Sequence, residues 1–124
     1  YSDLSRKMVL EGADFLVYIA NDGWYLNPPQ AQQHAKQTIF RAIETRKPVL
    51  RCGNTGITWV VNDSGEVLES LEPNKKGILT SNDVEVYSND KKTVYVILGD
   101  WLAYVCIAVS LGLVLMGAYN IRRK

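Results

Sequence analysis

Histidine occurs once in these 124 residues, at His34, so a catalytic triad, a proton relay or a metal site built on imidazole has one side chain to draw on. Cysteine occurs twice. Cys52 belongs to a polar, turn-rich body and Cys106 to an uninterrupted apolar stretch, an arrangement that keeps their Cα atoms beyond disulfide distance. There is no Cys/His cluster with metal-ligand spacing, no glycine-rich phosphate loop and no Gly-x-Ser-x-Gly elbow, so neither metal nor cofactor is expected. Charge of one sign is also lacking. The chain carries a formal +1, and residues 1–100 hold 11 basic and 13 acidic groups. No basic stripe is left for a nucleic acid, which is excluded as a partner.

The segment most lacking in charge is the end of the chain. Residues 101–119 (WLAYVCIAVSLGLVLMGAY) contain no charged side chain, and Arg122, Arg123 and Lys124 follow directly. At about 1.5 Å per residue the stretch makes a helix of roughly 28 Å, near the hydrocarbon thickness of a bilayer. Trp101, Tyr104 and Tyr119 lie towards its ends, where amphipathic rings favour the headgroup level. A buried core helix is the alternative, but a chain of this length has little protein to surround one. The expected division is therefore an extracytoplasmic domain over 1–98, a transmembrane helix over 99–121 and a basic cytoplasmic tail over 122–124.

Ahead of that span, helical and strand periods alternate. Leu4 and Met8 fall one turn apart in a helix over 2–11 that Gly12 stops. Residues 14–20 (DFLVYIA) are an almost continuous apolar run, which suits a strand buried on both faces. A turn-rich loop, 21–29, leads to a helix over 30–46 whose stripe is Ala31, Ala35, Ile39, Ala42 and Ile43. Short strands are expected at 47–52, 57–61, 66–71 and 78–87, with tight turns at 53–56 and 62–65. Residues 93–98 are apolar enough to lead into the membrane. The order reads as the latter part of an α/β sandwich. Opening on Tyr1 within a helical pattern, the chain reads as a piece of something longer.

Three short motifs occur in order along this frame: Asn-Asp-Gly-Trp at 21–24, Arg-Ala-Ile-Glu at 41–44 and Arg-x-x-Asn-Thr-Gly-Ile-Thr at 51–58, followed by Gly99-Asp100-Trp101 and the terminal span. Gln33-His34 and Pro48-Val49-Leu50-Arg51 fall between them. Their order and spacing resemble the C-terminal part of the apolipoprotein N-acyltransferase family, within the nitrilase (carbon–nitrogen hydrolase) superfamily, over nearly the whole chain. The resemblance implies an α/β fold, the C-terminal part of a nitrilase-like αββα sandwich followed by one C-terminal transmembrane helix. It implies an acyl transfer at the periplasmic face of a bacterial inner membrane. A fatty acyl chain would pass from a phospholipid donor to a cysteine thiolate, and then to the amine of a diacylglyceryl-cysteine lipoprotein acceptor. The family's catalytic Glu, Lys and Cys correspond to positions before Tyr1, so no residue here is expected to be catalytic, and the segment is expected to be inactive alone. A membrane-tethered nitrilase-type amidase, or a non-catalytic tail-anchored binding module, are the other two readings.

By the same resemblance, Trp24, Asn21 and His34 would form the rim of the acyl site, with Asp22, Arg41, Glu44, Arg51 and Asn54 supporting it. Each also has a plainer reading. Trp24 would pack under its own loop, and Asn21 and Asp22 would shape that loop through hydrogen bonds to its backbone. His34 would be a hydrogen-bonded or solvent-facing histidine rather than a headgroup contact. Arg41 and Glu44, three apart on a helix, would be a structural ion pair. Cys52 is expected as a small half-buried residue at a strand end, not a nucleophile.

Overall fold

The computed structural model describes residues 2–24, 28–79 and 90–123. Its first helix, α1 (Ser2–Leu10), turns Ser5 and Val9 into the protein and leaves Leu4 and Met8 about half exposed. The inward face is thus one residue on from the Leu4–Met8 pair, and Ser5 is kept there by a 2.6 Å hydrogen bond with the Tyr18 hydroxyl. Gly12, at φ +100°, closes the helix, with Ala13 N–H bonding back to Met8 C=O at 3.0 Å.

Four strands form one sheet in the order β1 (Leu16–Ala20), β2 (Val49–Gly53), β3 (Thr58–Val61) and β4 (Val67–Leu71). β1 and β2 are parallel, and the connection between them carries α2 (Pro28–Thr45); β2, β3 and β4 run antiparallel through short turns. Tyr18 sits opposite Arg51, and Arg51 opposite Trp59. With Leu16, Val49 and Val61 these residues form the sheet face covered by the helices.

The other face explains a correction. The run 14–20 was expected to be buried on both sides, yet Val17 is 57% and Ile19 87% exposed, and the strand begins only at Leu16. Cys52, the register partner of Ile19, is on that face too and is exposed rather than half-buried.

α2 starts at Pro28 and ends at Thr45, where Arg46 takes a left-handed φ of +53°. Ala35 and Ala42 are fully buried, which lets the helix backbone approach the sheet closely. Trp59 Nε1 donates to Thr38 Oγ1 at 2.9 Å, and Thr38 in turn donates to Ala35 C=O, fastening α2 to β3. Ile43, placed on the inner stripe by sequence, is 41% exposed and lies over the β3–β4 turn at Gly65. The strand expected over 78–87 is not found at Ile78 and Leu79, and its remainder lies outside the described residues. The apolar segment 93–98 that leads to the final helix holds a short helix of its own, α3 (Val94–Leu98), capped by Thr93. The final helix, α4 (Trp101–Arg122), has the length and apolarity to cross a membrane, and none of its residues is buried.

Candidate functional site

Parallel strands end together, and the loops leaving their carboxyl ends are where α/β folds place their sites. Here β1 and β2 end at Ala20 and Gly53, a register pair, and release the two turns that carry Asn21-Asp22-Gly23-Trp24 and Asn54-Thr55-Gly56. The turns are stitched together. Asn54 Oδ1 accepts from Asp22 N–H at 2.9 Å, and Asn54 Nδ2 donates to Asn21 Oδ1 at 2.8 Å. Asn21 Oδ1 also accepts from Gly23 N–H at 3.1 Å, the local backbone bond expected of it.

Asp22 behaves differently from its expected loop-shaping role. Its carboxylate turns inward, fully buried, and accepts from Arg51 Nη2 at 2.6 Å and from His34 Nδ1 at 2.7 Å. A carboxylate only accepts, so Nδ1 is the protonated nitrogen of His34. Arg51, whose side chain is equally buried, donates its Nε to Ile57 C=O at 3.2 Å. One carboxylate thus joins the loop after β1, the middle of β2 and the first half of α2.

Space for that carboxylate comes from glycine. A Cβ on Gly56 would lie 1.8 Å from Asp22 Oδ2, and one on Gly53 would lie 3.2 Å from it. The second glycine of the 53–56 turn is there because a side chain would occupy the position of Asp22.

Beneath the network is a cavity of about 90 Å³ lined by Tyr18, His34, Gln37, Thr38, Arg41 and Arg51. It has room for a few water molecules and none for an acyl chain. Arg41 reaches its far end and pairs with Glu44, Nη2 to Oε1, at 2.8 Å. Arg41 Nε and Glu44 Oε2 are buried and have no hydrogen-bond partner among the described residues. Burial raises the pKa of Glu44; Arg41 opposes the shift and Asp100 adds to it.

The structure therefore brings Asn21, Asp22, His34, Arg51 and Asn54 into one network and puts Arg41 across the cavity from it, with Glu44 a turn beyond. Trp24 is 83% exposed, carried out from the network on the Gly23 turn, so it does not pack under its own loop. Cys52 leaves the sheet from the face opposite its neighbour Arg51 and does not join the network. Sequence reasoning missed Tyr18, Thr38 and Gly56. Tyr18, the one polar tip in an apolar strand, was the available signal for the first.

Against known proteins, residues 1–85 match the carbon–nitrogen hydrolase family model. Similar curated proteins include apolipoprotein N-acyltransferase 1 of Treponema denticola, 36% identical over 106 residues that make up 86% of this chain and 19% of that protein. The apolipoprotein N-acyltransferase of Thermotoga maritima is 30% identical over 89% of this chain and 21% of its own. That of Geobacter metallireducens is 33% identical over all 124 residues and 23% of its own length. The chain spans about a fifth of the length of the curated relatives it matches.

Proposed function

This chain belongs to the carbon–nitrogen hydrolase family, and from that premise we propose that it serves apolipoprotein N-acylation at a membrane surface. The reaction has two halves. A cysteine thiolate attacks the acyl ester of a phospholipid, forming a thioester and releasing a lysophospholipid. The free α-amino group of a diacylglyceryl-cysteine then attacks the thioester, forming an amide and returning the thiolate. Both substrates are lipid-anchored, so the site must stand at the bilayer, and α4 is the anchor that would hold it there. By the positive-inside rule, Arg122 and Arg123 belong in the cytoplasm and the domain over 1–98 on the periplasmic side of a bacterial inner membrane.

The observation that carries this reading is the continuous likeness to the Geobacter protein, which runs through both the sheet and α4. An amidase for small amides has no need of the second part. Within the site, Trp24, Asn21 and His34 are the rim. Asp22, Arg41, Arg51 and Asn54 hold the rim in place, and Glu44 steadies Arg41. No residue of this chain is assigned to the nucleophile, base or oxyanion stabiliser.

The test uses the full reading frame that carries these residues, expressed in membranes and given labelled phospholipid with a diacylglyceryl-cysteine peptide. A gain of one acyl chain on the peptide amine is expected, by mass spectrometry. A membrane-inserted protein that leaves the amine free, or that instead releases ammonia from small amides, refutes it. Trp24→Ala should lower the transfer rate while the melting temperature stays unchanged, because an 83% exposed ring contributes little to packing. Topology has its own check in the β3–β4 turn, where Ser64 is exposed. In the full protein with its other cysteines replaced, Ser64→Cys should react with an impermeant maleimide added outside spheroplasts, and protection until lysis would invert the assignment.

A further inference from the structure

α3 is five residues long, yet it is held at three points. Thr93 accepts from Val96 N–H at 3.0 Å, capping the helix, and its hydroxyl donates to Glu44 C=O at 2.5 Å, at the end of α2. Val96 is fully buried in the core with Val9 and Ala42. At the other end Arg6, from α1, donates Nε to Tyr95 C=O at 3.2 Å and Nη2 to Ile97 C=O at 3.1 Å. Its guanidinium lies over Gly99, where a Cβ would come within 3.4 Å of it, and Gly99 has φ +64°. The Tyr95 carbonyl also accepts from Gly99 N–H at 2.7 Å, and Arg6 satisfies the Ile97 carbonyl, one that a helix end otherwise leaves to water.

A helix fixed this firmly still exposes apolar side chains. Val94, Ile97 and Leu98 are 58%, 57% and 57% exposed. Their spacing of three and four puts them on one face, and Trp101, 42% exposed, opens α4 three residues after Leu98. Lys91 and Lys92, both exposed, stand just before it. Two residues, Gly99 and Asp100, separate the stripe from the start of the membrane-length helix. The exposed face of α3 therefore lies within two residues of the first turn of α4.

We infer that α3 is an interfacial helix that seats the domain on the bilayer. Val94, Ile97 and Leu98 enter the boundary between headgroups and acyl chains, and Lys91 and Lys92 face anionic headgroups. Because Arg6 and Thr93 tie α3 to α1 and α2, the bilayer surface is fixed relative to the sheet rather than through a free linker. The inference rests on the reading of α4 as a membrane span. It adds a second contact with the lipid, made by the domain itself.

The experiment reads depth. In the full protein with Cys52→Ser, Cys106→Ala and every cysteine outside these residues replaced, one environment-sensitive fluorophore is attached at Ile97→Cys or, separately, at Leu111→Cys. The protein is reconstituted in phosphatidylethanolamine–phosphatidylglycerol vesicles carrying a nitroxide either near the headgroup or at the acyl terminus. The label at 97 should lose most of its emission to the shallow nitroxide and little to aqueous iodide, while the label at 111 responds to the deep one. A label at 97 open to iodide and untouched by either nitroxide, with 111 still quenched from within the bilayer, overturns the inference and leaves the span standing. A label at 111 open to iodide overturns both. Arg6→Ala should raise iodide access at 97 without changing 111; equal access in both variants would remove Arg6 from the clamp.

Discussion

Replacing Asp22 with asparagine tests the centre of the site. The substitution keeps shape and volume and removes one charge from a position with no solvent exposure. The new amide oxygen would still accept from Arg51 Nη2, and the amide nitrogen would face His34 Nδ1, which must then give up its proton to another tautomer. What is lost is the counter-charge. The Arg51 side chain is 1% exposed, and its Nε donates to the neutral Ile57 C=O. Leaving such a cation unpaired costs about 3–5 kcal/mol, whereas removing both partners costs far less. Asp22→Asn should therefore destabilise by about 3–5 kcal/mol, and Asp22→Asn with Arg51→Met should recover about 2–3 kcal/mol relative to the sum of the single changes.

The assay is urea unfolding of the full protein in mild detergent, followed by the emission of Trp59. That ring is buried against α2, so its emission reports on the helix–sheet contact. Trp24, Trp101 and any tryptophan outside these residues are replaced by Phe to isolate the signal. An Asp22→Asn variant within about 1 kcal/mol of its parent would refute the reasoning, since that is the range of an ordinary surface change. It would mean that water reaches Arg51 and that the network is not what fixes the loop after β1. Additivity in the double variant would carry the same meaning.

Much of this fold was legible because its helices and strands carry strong local periods. The stripe of Ala31, Ala35 and Ala42 and the turns at 53–56 and 62–65 specify a helix against a sheet by local pattern alone. Failures came where a local pattern admits two environments. A continuous apolar run such as Leu16–Ala20 is equally consistent with one covered face or two, and Val17 and Ile19 are open in this chain, which spans about a fifth of its relatives' length. Residues 93–98 have no amphipathic period long enough to declare a helix, and α3 exists because Thr93 and Arg6, distant in sequence from their partners, satisfy its ends. The site shows the same limit. Motif order named Asn21, Asp22, His34, Arg51 and Asn54, which meet in one network, but the inward turn of Asp22 depends on pairing across 12 and 29 residues, which no spacing rule encodes.

Three further outcomes follow from the same contacts. Gly56→Ala should lose about 3 kcal/mol or more, because the added carbon meets the Asp22 carboxylate at 1.8 Å; a melting temperature within error of wild type would show that the turn can move aside. Ala35→Leu, at a site of zero exposure facing the sheet, should cost about 1–3 kcal/mol by urea unfolding, and an unchanged midpoint would mean α2 packs less closely than described. Glu44→Gln addresses pH. Burial, only partly opposed by Arg41, holds the folded-state pKa of Glu44 above its ordinary value, so the native state keeps this proton more tightly than the unfolded chain does. Its contribution is fully present below the ordinary carboxylate range and is lost as pH rises through the raised value. Melting temperatures across a pH series should thus fall less steeply above about pH 4 in Glu44→Gln than in wild type. Parallel curves would mean that the carboxylate is solvated in the folded protein, and that the Arg41–Glu44 pair lies on the surface rather than at the edge of the core.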